Sequence, residues 1–440
     1  MDRTRRPRLM IWLGAAAAII LVGAACAPQT APPAPAPAPA PAPPSAALTN
    51  PPANACPASA GTGAGSGSGS SAATSTLAPA EAAVDAVESY EAAADVPAEA
   101  VPIVTVEETP NGPSVETHVV DSAAEAAAVA VDGAQGDDLV AVEADEIATA
   151  VASNDPYRPS QWGLNSSPFE AAWGSSNGAG VIVAVVDTGV NHLHADLSGQ
   201  VYEGWTFLGG LSQIGAPDGH GHGTHVSGTV AALAGNGVGV TGAAPGAKIL
   251  PVRVLDANGS GWYSDITQGI TWAAQHGARV INMSLGGPSP SSSLDAAISY
   301  ARGCGVVVVA AAGNDGDCAG TPNGASYPAA STGVIGVGAI DSSLARACFS
   351  DVGSYVDIAA PGAGIWSTTS DGGYASWSGT SMATPHAAAA AAIVIGSHPA
   401  CTAAGADARI LTGTTALGAP TTHVGSGLVN PLQASQIAGC

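Results

Sequence analysis

From residue 181 onward the chain alternates short, unbroken apolar runs with longer stretches of helical periodicity. The runs are 181–186, 249–254, 280–283, 306–312 and 334–337, all rich in valine, isoleucine or alanine. They lack the apolar-polar alternation of a half-exposed strand, so they predict strands buried on both faces, hence a parallel sheet flanked by helices in a three-layer α/β fold. The apolar stretch 387–395 is too short to span a bilayer and predicts a buried helix.

Ahead of this region the pattern changes. Residues 79–152 carry a helical period around 80–94, strand-like segments at 102–108 and 115–120, an Ala-rich helix and a last strand at 138–143. That order predicts a small α+β module. Residues 27–78 have neither period: Ala/Pro alternation to about residue 58, then Gly/Ser from 61 to 71, describes a tether that is first stiff and then flexible. The first 26 residues set Arg3, Arg5, Arg6 and Arg8 before an uncharged apolar run, 9–25, and Cys26, the layout of an export signal. Three outcomes are open there: cleavage near Ala25 or Ala27, lipidation of Cys26 on the outer face of the membrane, or retention of the run as an anchor. The expected division is therefore 1–26 signal, 27–78 tether, 79–152 small module and 153–440 large domain.

Charge sharpens that division. The 440 residues hold 34 acids against 11 bases, a net charge of −23, which excludes a nucleic-acid backbone as partner. Between Glu81 and Glu146 stand 17 acids and no base, whereas residues from Asp155 onward hold 16 acids and 7 bases. The acidic module repels itself and is expected to be poorly stable alone. Five of the seven cysteines, Cys304, Cys318, Cys348, Cys401 and Cys440, fall in the large domain. Export favours disulfides; Cys318 with Cys348 is the preferred pair, and the odd number leaves one cysteine free or paired with Cys56.

Three polar clusters interrupt the apolar pattern at strand ends and helix starts. Asp187 closes the run 181–186 and is followed by Thr188 and Gly189. His220, His222 and His225 precede a small-residue helix, 226–234, and Gly379-Thr380-Ser381-Met382-Ala383-Thr384-Pro385-His386 leads into the Ala-rich helix. A hydroxyl, an imidazole and a carboxylate are the groups that nucleophilic acyl transfer requires: attacker, proton acceptor and orienting partner. The chain order Asp, His, Ser separates this set from triads on other folds.

With these clusters the sequence resembles the subtilisin-like serine proteases, in their thermitase and proteinase K branches, over residues 154–429. Asp187-Thr188-Gly189, His222-Gly223-Thr224-His225-Val226-Ser227-Gly228 and Gly379-Thr380-Ser381-Met382-Ala383-Thr384-Pro385 match the three active-site signatures of that family. The resemblance implies that Ser381 is the nucleophile, His222 the general base and then acid, and Asp187 the carboxylate that holds the imidazole. It implies that Asn314 points its amide at the oxyanion, and that Gly259, Ser260, Gly261, Ser284, Leu285, Gly286, Ala312 and Gly313 line the substrate cleft. Small residues there let an extended peptide approach closely. Asp315 stands either at the rim of the first specificity pocket or on a solvated loop.

A structural calcium ion is implied too, on the side chains of Asp155, Asp196 and Asn236 with the carbonyls of Val238 and Val240, all hard oxygen donors. The acidic module takes the position of the family's inhibitory propeptide. The implied protein is a secreted, self-processing serine endopeptidase of broad preference, acting on polypeptides as a monomer and inhibited by its own propeptide, with membrane attachment through the N-terminus as the alternative. In one place the chain departs from the family: Ala387-Ala388-Ala389 stand where Val-Ala-Gly is usual. The added methyl is expected to alter packing more than chemistry.

Three rival readings compete. The clustered histidines, with His192 and His194 nearby, suit zinc, but the chain has no His-Glu-x-x-His pair. Gly174-Ser175-Ser176-Asn177-Gly178 matches the Gly-x-Ser-x-Gly esterase pattern but precedes a strand instead of following one. A silent surface module on a tether is opposed by the intact Asp187, His222, Ser381 and Asn314.

Overall fold

The computed structural model describes residues 153–440 throughout and, ahead of them, three strands: β1 Val101–Thr109, β2 Gly112–Val120 and β3 Leu139–Ala144. They pair antiparallel in the order β2-β1-β3, at the three segments where strands are expected. The expected helices around 80–94 and between 120 and 138, the signal 1–26, the tether 27–78 and Cys56 lie outside the described residues.

Residues 153–440 fold around one ten-stranded sheet. Its strands are β4 Ile182–Asp187, β5 Trp205–Leu208, β6 Leu211–Ile214, β7 Lys248–Arg253, β8 Val280–Met283, β9 Val307–Ala311, β10 Ile335–Ile340, β11 Ile358–Pro361, β14 Thr414–Thr415 and β15 Leu428–Val429. A separate hairpin pairs β12 Ile365–Thr368 with β13 Tyr374–Trp377. The spatial order is β14-β15-β11-β10-β9-β8-β4-β7-β5-β6. The eight strands from β15 to β5 run parallel, and β14 and β6 close the two edges antiparallel. All five apolar runs form central strands. The antiparallel edges are a departure from the purely parallel sheet: β14 has two residues and β6 is exposed along its whole length, so neither carries the apolar signal of a buried strand.

Successive side chains of a strand point to opposite faces, and β4 shows the consequence. Val183 and Val185 enter one core with Val226 and Val230 of helix α1 (His222–Ala231) and with the long helix α4 (Thr380–Ser397). Ala184 and Val186 enter the other core, against Ile266 and Ile270 of α2 (Tyr263–Gln275) and Leu294 and Ile298 of α3 (Ser292–Gly303). These are the three layers. The middle of α4 is buried on all sides, as its uniformly apolar sequence requires, and the methyl of Ala389 is accommodated there with no exposure.

The expected disulfide Cys318–Cys348 is present, and a second joins Cys401 to Cys440. Cys304 is bonded as well, so none of the five cysteines of residues 153–440 is a free thiol. Among the described residues no helix is long and apolar enough to cross a membrane.

Candidate active site

β4 and β8 are parallel neighbours, so Asp187 at the end of β4 and Ser284 just after β8 lie at the same end of the sheet, where His222 bonds to the first and Ser381 to the second. Asp187 is the last residue of β4, His222 the first of α1 and Ser381 the second of α4. Asp187 is fully buried; its Oδ1 and Oδ2 lie 2.8 and 2.9 Å from His222 Nδ1, and Oδ1 also accepts the Thr188 N–H at 2.7 Å. Burial disfavours the imidazolium, but the charge and hydrogen bond of Asp187, with the charge of Asp218 behind them, outweigh it and raise the His222 pKa above 6.5. This close approach needs glycine at 223, because a Cβ there would overlap the carbonyl oxygen of Gly189 and crowd Asp187.

Asp218 is absent from the expected set, yet it holds the start of α1 in place. Its Oδ1 accepts from Thr188 Oγ1, His220 N and Gly221 N at 2.8, 3.0 and 2.7 Å; its Oδ2 accepts from Thr224 N and Thr224 Oγ1 at 2.9 and 2.5 Å. Burial pushes its carboxyl up, but the hydrogen bonds from Thr224, Gly221, His220 and Thr188 prevail and hold it below 3.8. A carboxylate serving the free N–H groups of a helix start is a cap with charge added. The sequence signal was an acid four residues ahead of His222 at a predicted helix start.

Pro385 explains how Ser381 is seated. Inside α4 it has no N–H to give to the carbonyl four residues earlier, which belongs to Ser381. That carbonyl instead accepts from Ser284 Oγ at 2.8 Å, while Ser381 Oγ donates to the Ser284 carbonyl at 3.1 Å. Asn282 Nδ2 donates to Ser284 Oγ at 3.0 Å from beneath. The Oδ1 of Asn314 accepts from Thr380 N and Thr380 Oγ1 at 2.8 and 3.0 Å, leaving Nδ2 as the outward donor. Asn314 Nδ2 and Ser381 N each lie 3.6 Å from the point where a Cβ on Gly379 would stand, so the two donors flank one small volume.

Two cavities of about 410 Å³ each meet at this end of the sheet. One brings Gly259, Ser260 and Gly261 against Ser284, Leu285 and Gly286 beside His222. The other lies between Leu285–Gly287 and Gly313–Asp315, and Asp315 contributes to its lining. Ala312 is fully buried and lines neither; its N–H donates to Val337 O and its carbonyl accepts from the Tyr355 hydroxyl at 3.2 Å.

Four residues of the expected calcium set, Asp155, Asp196, Asn236 and Val240, come together, and Val238 gives its N–H to Asn236 Oδ1. Asp155 accepts from Gly235 N, Gly237 N and Thr241 Oγ1 at 3.0, 3.1 and 2.6 Å. Asp196 accepts from Asn236 Nδ2 and Val240 N, both at 2.9 Å. Burial, with the charge of Asp155 adding to it, lifts Asp196 to about 7 against the hydrogen bonds from Val240 and Asn236. A buried carboxyl raised beside a second carboxylate offers hard oxygen donors of the type such a cation takes, although Asn236 and Val240 present N–H groups to it. Among the described residues no three His, Cys, Asp or Glu side chains gather where they could hold a metal.

Two of the histidines considered for zinc are engaged elsewhere. His225 stacks flat on Trp377 at 4.5 Å with Nε2 against the Ala375 carbonyl, and His194 takes the Asp196 N–H on Nδ1. Burial lowers His225 to about 4.

A buried carboxylate bound to an imidazole at the end of one parallel strand, and a serine on the first turn of a helix bonded to the residue after the neighbouring strand, fit the class of serine hydrolases. Residues 178–429 match the family described as the Subtilase family, and the chain belongs to it. It is 47% identical over 259 residues to Subtilisin DY of Bacillus licheniformis, covering 59% of this chain and 92% of that one. It is 48% identical over 242 residues to Thermitase of Thermoactinomyces vulgaris, covering 55% and 84%. A solved protease of Pseudoalteromonas arctica PAMC 21717 superposes with a TM-score of 0.60 at 36% identity, covering 64% of this chain and 98% of that one. The chain is a subtilisin-like serine endopeptidase.

Proposed function

We propose that Ser381 is the nucleophile of a secreted, self-processing endopeptidase, with His222 its general base and Asp187 the orienting carboxylate. The observation that carries this reading is the contact of His222 Nδ1 with both oxygens of buried Asp187, at the end of the sheet where Ser381 opens α4. With its Nδ1–H given to Asp187, the imidazole keeps Nε2 as proton acceptor. Ser381 Oγ leaves the Ser284 carbonyl, passes its proton to Nε2 and bonds to the substrate carbonyl carbon. The oxyanion that forms takes hydrogen bonds from Ser381 N–H and Asn314 Nδ2. Collapse expels the amine, protonated by His222, and water then repeats the sequence on the acyl-enzyme.

The peptide lies extended between Gly259–Gly261 and Ser284–Gly286, adding as a strand. A structural calcium ion is held by Asp155, Asp196, Asn236 and the carbonyls of Val238 and Val240. Residues 1–26 direct export, 27–78 form a tether, and 79–152, which include β1 to β3, inhibit the 153–440 domain until cut away. The test is incubation of residues 27–440 with radiolabelled fluorophosphonate while chain length is followed. Label on the Ser381 peptide is expected to appear as the chain shortens, and Ser381→Ala is expected neither to label nor to shorten. A Ser381→Ala chain that matures unaided overturns the mechanism.

A further inference from the structure

The cavity between Leu285–Gly287 and Gly313–Asp315 carries two carboxylates, Asp315 and Asp351, and no basic side chain. At about 410 Å³ it falls within the roughly 300–1,000 Å³ usual for ligand pockets. Its walls are tied together: Gly287 and Tyr327 exchange backbone hydrogen bonds at 2.8 and 2.9 Å, and the Tyr355 hydroxyl reaches the carbonyls of Ala312 and Gly324 at 3.2 Å each. The disulfide Cys318–Cys348 joins the segment after Asp315 to the segment before Asp351. The pocket adjoins Ser381: its lining includes Thr380, the residue before it, and Leu285, which follows Ser284, the residue that exchanges hydrogen bonds with Ser381.

Asp351 is an odd residue to find in such a wall. It is 4% exposed, and its Oδ1 accepts from Asn323 Nδ2 at 2.7 Å. Its Oδ2 lies over residue 313, a glycine at φ 116°, where any Cβ would overlap the carboxylate. Glycine at 313 thus leaves the floor of the pocket to a charged oxygen. Among the described residues the ion pairs are Arg158–Glu170, His222–Asp187 and Arg302–Asp407, and none includes Asp351. Asn323 and the backbone N–H groups of Asp315 and Gly316 hydrogen-bond to the carboxylate, but no cation among the described residues neutralises it; burial still pushes its pKa up against those bonds, with the charge of Asp315 adding to the effect. The cavity in front of it is the place from which a cation can arrive.

We propose that Asp351, supported by Asp315 at the mouth, makes this pocket select a cationic side chain, lysine or arginine, at the substrate residue whose carbonyl Ser381 attacks. The proposal deepens the function proposed above and rests on it, narrowing a broad preference to a charged one. A neutral side chain of similar length shuts water out of the pocket without supplying a countercharge to the carboxylate, so the acid rejects that side chain as well as attracting the cation.

The test uses processed enzyme and peptide p-nitroanilides that differ only at that residue, carrying Lys, Arg, Met or Leu, with active enzyme counted by fluorophosphonate labelling. Lys and Arg substrates are expected to exceed Met and Leu in kcat/KM by about tenfold or more. Asp351→Asn keeps an acceptor for Asn323 and is expected to lower the Lys-to-Met ratio by about tenfold or more. Asp315→Asn, at an exposed position, should lower it by a smaller factor. A wild-type enzyme that cleaves Met and Leu substrates as fast as Lys, or a ratio unmoved by Asp351→Asn, overturns the proposal. Should that variant not mature, benzamidine against neutral benzamide as competitors of the wild-type enzyme decides the point, and equal inhibition by the two overturns it. Failure of fluorophosphonate to label Ser381 would overturn the triad assignment instead, which keeps the two failures apart.

Discussion

Asp218 touches no reacting atom in this arrangement, yet its loss should disable the enzyme through His222. Five donors from Thr188, His220, Gly221 and Thr224 end on its carboxylate. Asp218→Ala removes all five acceptor contacts. His220 is exposed and finds water, but Thr188, Gly221 and Thr224 are buried. Leaving a buried donor unpaired costs about 1–3 kcal/mol, so three such residues, taken at the low end because water enters the space vacated, give a destabilisation of about 3 kcal/mol. For a domain of this size that is a fall in Tm of roughly 5–10 °C. The measurement is differential scanning calorimetry of Asp218→Ala in the Ser381→Ala background, where self-digestion is absent, with kcat of the processed single variant alongside. As a positioning residue, Asp218 should move kcat more than KM, because the loosened first turn of α1 no longer holds the imidazole against Asp187. The pH dependence has a definite sign. The folded carboxyl is held below 3.8, so its stabilisation is present above that value and fades as pH falls through the lower folded pKa. An Asp218→Ala protein with the Tm and kcat of its parent would refute the reasoning.

Three further outcomes are expected. Because Asp187 raises the His222 pKa above 6.5, kcat/KM should fall as pH drops through a midpoint above that value, where the base becomes protonated. Asp187→Asn should move the midpoint down while cutking kcat by about 10⁴; a midpoint that stays in place denies the coupling. Asn314→Leu should lower kcat by about 10²–10³ with little change in KM, the cost of one oxyanion donor, and kinetics equal to wild type would remove Asn314 from that role. Added calcium should raise Tm, by about 2.7 kcal/mol of stability at a hundredfold excess over Kd, and chelation or Asp196→Asn should abolish the gain. A melting curve indifferent to calcium would delete the site.

How far the sequence could be read varied from residue to residue for physical reasons. The central strands were legible because burial on both faces demands unbroken apolar runs, a local property. The edges β6 and β14 were not, since an edge strand is defined by its neighbour and needs no apolar pattern. Asp187, His222 and Ser381 stood out because each interrupts an apolar element at its end. Ala312 was placed in the cleft by analogy along the chain, whereas the alternation of the strand leading into it turned its methyl inward and left the lining to its neighbours. Asp218 bonds mostly to residues two to six positions on, at a helix start, so its role was open to a local reading, whereas Asp351 approaches Asp315 across 36 positions and could not be read from sequence spacing. The Cys401–Cys440 bridge, likewise, needed the C-terminus brought back to α5 (Ala403–Thr412).

By itself, then, the sequence determined the central strands, the layering and the candidate reactive groups, because hydrophobic period and side-chain chemistry are written residue by residue. Only the tertiary structure decided which carbonyl receives the Ser381 hydroxyl and which acid floors the pocket. Those are distances between segments far apart in the chain, and no local pattern encodes a distance that exists only after the chain has closed upon itself.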